Sequence, residues 1–178
     1  MVGGEVLFNG VSLHKKYGIA VEKCRRSLSP PLRERKVAIP NRDGKYNYGA
    51  RNYDENTLTL ECGIARRYSR EQIRELAYTL SRRGRIELWD EPGKIYIGQL
   101  YDPEELEKIG ESSGKFSLTF TCEPFAYGAT VTQPIAAGLN RIEYKGTART
   151  PTLIVLKNNS KTTAQNVRIT AIFRRKTL

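Results

Sequence analysis

The chain has 178 residues with a formal net charge of +11, and 39% of its residues are hydrophobic and 28% charged. That balance is too apolar for a disordered chain and too polar for a membrane protein, and the length suits one ordinary domain with or without a smaller addition. A single histidine, His14, and three cysteines at 24, 62 and 122 with no CxxC pair nearly exclude a His-based triad, a multi-histidine metal site and a closed disulfide framework.

No apolar run approaches the roughly 18 residues that span a bilayer, and the opening MVGGEVLFNG lacks the basic-then-apolar profile of a signal peptide. The expectation is a soluble protein made in the cytoplasm, without a membrane anchor, whose cysteines are reduced and mostly buried. The charge is uneven: residues 1–55, 56–128 and 129–178 carry +5, −2 and +8. The shift places a compositional boundary near residue 128, and its basic end attracts polyanions whatever the fold.

In chain order, short strands are expected at Val6 to Phe8 and Ile19 to Glu22. From Arg25 to Asn56 regular patterning weakens. RRSLSPPLRERK is basic and contains Pro30-Pro31, Val37 to Ile39 is a further strand candidate, and RDGKYNYGARNYDEN combines an Asp43-Gly44 turn with three tyrosines. Tyrosines beside arginines are enriched at protein interfaces and also stack on single-stranded nucleic acid. Arg33, Arg35, Tyr46, Tyr48, Arg51 and Tyr53 are therefore the candidate assembly-interface residues. A polar hairpin loop with partly buried aromatics explains the same stretch without a function.

Residues 57–64 place apolar side chains at every second position, as a strand with one buried face requires, and Phe116, Leu118, Phe120 and Cys122 repeat the pattern. Between them, Ser69 and Gln72 make an S-x-x-Q capping box, Tyr68 and Ile73 suit a hydrophobic staple, and Ile73, Leu76, Ala77 and Leu80 recur at helical spacing. The helix is expected to end at Gly84 in a left-handed conformation and to turn Arg70, Arg74, Arg82 and Arg83 outward. Strands at Ile86 to Trp89 and Lys94 to Ile97 flank an Asp90-Glu91-Pro92-Gly93 turn, and Asp102-Pro103-Glu104-Glu105-Leu106 reads as a capped helix start, a turn or an irregular edge strand.

Residues that mimic chemistry are better explained structurally. GESSGKF at 110–116 has its glycines one residue too close for a phosphate loop, has Phe116 where Ser or Thr must reach magnesium, and precedes a strand. The acidic run from Asp102 to Glu111 lacks the alternating pattern of a calcium loop, and His14 has no carboxylate partner nearby in sequence. Asn158-Asn159-Ser160 reads as a turn, and no 20–50-residue repeat is visible. No catalytic, metal or cofactor residue is assigned.

The order of features adds to this. Ile39-Pro40-Asn41-Arg42-Asp43-Gly44, then Ile86 to Ile97, then Phe120 to Gly128, following a LFNGVSL start, resemble the distal tail proteins of long-tailed bacteriophages from residue 5 onward. Asn41 and Glu123 depart from the glycine and aspartate usual there. The resemblance implies a mainly β fold: a tail-tube-like β-sandwich with one flanking helix over residues 1–128, then a basic segment, 129–178, resembling the start of a galectin-like sandwich. Strands at 142–147, 150–155 and 167–173 and extended chain near Leu106 to Ile109 follow from it. About 45 residues rarely hold a core of their own, so the segment belongs to a shortened member or to a piece of a longer one.

The function it implies is non-enzymatic. It is a virion protein forming a homohexameric ring at the tail tip, joining the tail-tube protein to the baseplate hub or tail fibre, and assembled in the host bacterial cytoplasm. DNA passes through the ring without specific binding. The alternative is a small basic β-domain binding nucleic acid through Arg33, Arg35, Lys36 and Arg51 with Tyr46, Tyr48 and Tyr53; carbohydrate binding is a third, weaker reading.

Overall fold

The computed structural model describes residues 4–48, 52–64, 67–101, 114–144, 146–170 and 172. The chain falls into two units, residues 1–143 and 144–178. Among the described residues the first contains every strand and helix: β1 (Val6–Phe8), β2 (Val11–Ser12), α1 (Leu13–Tyr17), β3 (Ile19–Arg26), β4 (Lys36–Ala38), β5 (Lys45–Asn47), β6 (Asn56–Ile64), α2 (Arg70–Leu80), β7 (Gly84–Leu88), β8 (Ile95–Leu100) and β9 (Gly114–Cys122).

Seven strands form one sheet in the order β2-β1-β7-β8-β9-β6-β3, antiparallel throughout, while β4 and β5 pair only with each other. Gly4, two residues before β1, bridges Val21 of β3 at the far end of that order, its N–H donating to the Val21 carbonyl at 3.1 Å. The sheet thereby rolls on itself, which shields edges that would otherwise template further pairing.

The alternation read in the sequence sets which face closes inward. Leu58, Leu60, Cys62 and Ile64 of β6 and Leu118, Phe120 and Cys122 of β9 are all buried, and residue pairs such as Leu58 with Phe120 and Leu60 with Leu118 lie directly opposite each other. Phe8 stacks on Phe120 at 5.9 Å between ring centres. α2 contributes Leu76 and Leu80 to the same core, with Ile73 and Ala77 partly buried beside them. Its capping box is formed: the Gln72 amide donates to Ser69 Oγ at 3.3 Å, and the Ser69 amide to Gln72 Oε1 at 3.1 Å.

Several expectations change. The mainly β fold with one long flanking helix forms as expected, its layers supplied by a single rolled sheet, and the changes are local. Gly84 does not end α2 in a left-handed turn; Ser81 caps the helix in an αR conformation, and Gly84 opens β7 where an added Cβ would overlap the Phe8 ring. The strand starting at Ile19 runs to Arg26 instead of Glu22, because its outer half pairs with β6 across a register shift and does not rely on burial. Among the described residues after Cys122 no strand forms, so the galectin-like strands at 142–147, 150–155 and 167–173 are not made there. Leu153, Val155 and Val167 stay exposed, as expected of apolar residues too few to close a second core.

α1 and the β2 and β5 strands were not foreseen. α1 is a single turn capped by Ser12, whose Oγ accepts from the Lys15 amide at 3.2 Å, and closed by Gly18 at φ +65°, with His14 exposed on it. The acidic run 102–111, the Leu106 to Ile109 stretch and most of the false phosphate loop lie outside the described residues.

Candidate functional site

The segment between β3 and β6 leaves the rolled sheet as a two-stranded arm. Pairing begins at its base, where the Asp54 amide donates to the Pro31 carbonyl at 2.8 Å, Leu32 bridges Tyr53, and the Arg33 amide donates to the Asn52 carbonyl at 2.9 Å. It resumes where the Tyr48 amide donates to the Arg35 carbonyl at 2.8 Å and continues through β4 and β5, with Val37 opposite Tyr46. The turn at the tip has Asn41 at φ +60° and Gly44 at φ +77°. The left-handed conformation at 41 explains why a glycine suits this position and why Asn tolerates it.

Strand pairing sorts the predicted interface residues into two groups. Arg35, Val37, Tyr46 and Tyr48 share one face of the arm, since directly opposed residues and residues two apart point the same way. Tyr46 and Tyr48 pack edge to face with ring centres 4.6 Å apart, and the Arg42 guanidinium lies 5.5 Å from the centre of Tyr46. Arg33 and Tyr53 sit at the base. Arg33 places Nη2 at 2.9 Å and Nε at 3.2 Å from Asp54 Oδ1, and Tyr53 packs edge to face with Phe125 at 5.0 Å. Arg51 lies outside the described residues. Lys36, on the opposite face, pairs with Glu34.

Among the described residues no core lies under this arm. Leu32, Val37, Tyr46, Tyr48 and Tyr53 are all at least 37% exposed, so the ribbon is apolar, aromatic and cationic on its surface with two strand edges open. Val37, Leu32 and Arg42 are not among the predicted interface residues; the alternation of Arg35 with Val37 and of Tyr46 with Tyr48 is the signal for Val37. An isolated two-stranded hairpin is marginal in water, and one bearing this surface is suited to burial against another protein.

The arm's root is fixed. Arg26, the last residue of β3, reaches the β7–β8 turn, with Nη1 2.7 Å from Asp90 Oδ2 and Nη2 3.5 Å from Glu91 Oε1, and its guanidinium lies 5.9 Å from the Tyr96 ring centre. Burial opposes its charge, but the hydrogen bonds to Asp90 and Cys24 hold its pKa above the ordinary value. The Tyr96 hydroxyl donates to Glu91, and burial together with that bond raises its pKa as well. Among the described residues no group of three or more His, Cys, Asp or Glu is placed to hold a metal ion, and no helix is long and apolar enough to cross a membrane.

Comparison with known proteins bears on what such an arm serves. Residues 12–122 match the family model described as the phage tail protein RIFT-related domain. The chain belongs to that family of phage tail proteins. It is a structural tail component rather than an enzyme, and its place is the virion tail. Among solved structures it is similar to the Dit (gp 19.1) protein of phage SPP1, described as a paradigm of the hub adsorption apparatus in phages infecting Gram-positive hosts. The TM-score is 0.55 at 20% identity, covering 71% of this chain and 52% of that one. The chain thus spans about half the length of that relative, and the likeness is one of fold. No curated protein matches. The resemblance read in the sequence to distal tail proteins is therefore matched in family and in fold.

Proposed function

We propose that this tail protein is a distal tail protein whose rolled domain assembles into a homohexameric ring at the tail tip. The ring joins the tail-tube protein to the baseplate hub or tail fibre and surrounds the path of the DNA, which it does not bind specifically. Assembly takes place in the host bacterial cytoplasm. One observation supports the reading above the others: a paired arm, anchored at its root by Arg26, presents Arg35, Val37, Tyr46 and Tyr48 on one uncovered face. A head-to-tail contact, with the arm of one copy on a different surface of the next, closes into a ring if the rotation between copies closes.

Native mass spectrometry over a concentration series, with negative-stain images of the same samples, tests it. The expected species is a hexamer of about 121 kDa, six times 20.2 kDa. Replacing Tyr46 and Tyr48 together by alanine should shift the population toward monomer while leaving the circular dichroism spectrum unchanged, since neither side chain enters the core. A wild-type chain that stays monomeric at the highest concentrations and forms no ring with the other tail proteins overturns the reading.

A further inference from the structure

α2 presents a second surface, different in kind from the arm. Residues 66–85 contain seven arginines and no lysine, although lysine makes up 12 of the chain's 30 basic residues. Arg70, Arg74, Tyr78 and Arg82 follow one another at four-residue steps along the solvent side of the helix and just past its end, a row roughly 18 Å long. Among the described residues, Arg70 and Arg74 have no carboxylate partner, and Arg82 lies with its guanidinium 4.9 Å from the ring centre of Tyr78, itself 63% exposed. Of the neighbouring carboxylates, Glu75 pairs with Lys16 at 3.1 Å and Glu123 with Arg83, while Glu71 makes no ion pair among the described residues.

We propose that this arginine row docks a carboxylate-rich surface of a second tail protein. The inference rests on the ring reading above, because that reading decides between protein and DNA as the anion. A ring that lets DNA through must not hold it, and guanidiniums without a carboxylate partner among the described residues would hold phosphate by counterion release wherever they faced that path. The composition of the face agrees. Glu71 and Glu75 interleave the row, a mixed-sign pattern suited to a protein surface and unfavourable beside a continuous polyanion. Exposed tyrosine laid against arginine is typical of the anchoring residues of protein interfaces. Arginine without lysine points to planar, two-point recognition, which a carboxylate offers and which an ammonium cannot reproduce.

The test uses the full chain and two probes: a 20-residue helical peptide with glutamates at i, i+4 spacing, and a 20-base-pair duplex of arbitrary sequence. The triple variant Arg70→Gln, Arg74→Gln, Arg82→Gln should bind the peptide about tenfold more weakly, as the loss of three exposed ion pairs implies. Its affinity for the duplex and its particle mass should stay those of the wild type. The matching triple lysine variant should fall between, having kept the charge and lost the fork. Circular dichroism reports whether α2 survives, and if the triple variant melts, Arg74→Gln alone carries the comparison. Peptide binding within twofold of wild type in the glutamine variant, parallel loss of duplex binding, or lysine restoring full affinity each overturns the proposal. Loss of the ring with peptide binding intact also overturns it and makes the face a contact between copies. A wild-type chain that forms no ring yet shows the expected peptide losses counts against the ring reading and leaves the arginine face standing.

Discussion

Cys122 ends β9 with its side chain inside the rolled sheet, 2% exposed, and burial, followed by the nearby Cys24, pushes its thiol up to about 12 from an ordinary 9.0. The folded state therefore holds a proton that the unfolded state has released between those values. Its contribution to stability is complete below pH 9 and disappears as pH rises toward 12. Tyr96, also raised, acts in the same direction. Denaturant midpoints measured from pH 7 to 11 should fall on the alkaline side, and Cys122→Ala should flatten that fall; an unchanged slope would place the thiol in contact with water. Gly84 is a residue of another kind, required by the Phe8 ring against its Cα. Gly84→Ala should cost roughly 1–3 kcal/mol, the usual penalty of overpacking a close-packed site, read as a lower denaturant midpoint. In the sequence Gly84 looked like a helix stop, because helix ends and close backbone approaches both select glycine and only the fold tells them apart.

The long elements were legible because each carries its own periodicity over enough residues. β6 and β9 have nine residues each with strict alternation, and α2 has a complete cap and a three-turn stripe. Ser69→Ala should lower stability by roughly 0.5–2 kcal/mol through a first-turn amide left without its partner, and a chemical melt shows it. Leu118→Ala, at the middle of β9 and fully buried, should cost more, roughly 2–5 kcal/mol. Equal costs at the two sites would mean that the core is less tightly packed around β9 than its burial indicates. What stayed hidden has a common cause. α1 is five residues long and β5 three, too short for any period to emerge, and both are held by tertiary contacts: Leu13 and Tyr17 buried in the core, Lys36 to Ala38 paired across the arm. The arm's composition was visible in the sequence, but not that pairing gathers Arg35, Tyr46 and Tyr48 on one face and leaves Arg33 and Tyr53 at the base.

For the whole molecule, core and charge are separated along the chain. Every residue of the buried hydrophobic cluster precedes position 123, while the described residues from 129 onward are exposed except Ala148, which is half-buried. The last pairing with the sheet is the bridge between Ile95 and Tyr127, whose two backbone hydrogen bonds are both 2.8 Å long. We propose residue 128 as the domain boundary, and cutting there tests it. Residues 1–128 keep the whole core and this bridge, and their formal charge drops from +11 to +3 because the deleted part carries nine basic residues and one acidic. The shortened chain should retain the circular dichroism spectrum of its strands and α2 and, with the arm intact, the particle mass of the full chain. Binding of the full chain to duplex DNA should be weak, indifferent to sequence and steeply reduced by salt, as release of counterions from phosphate contacts requires. The truncation should abolish most of it while preserving affinity for the acidic peptide, since the arginine row of α2 is still present. Unfolding of residues 1–128 would show that the basic segment completes the core. Salt-resistant, sequence-selective DNA binding by the truncated chain would instead favour nucleic-acid recognition by the arm, whose sequence carries Arg33, Arg35 and Lys36 with Tyr46, Tyr48 and Tyr53.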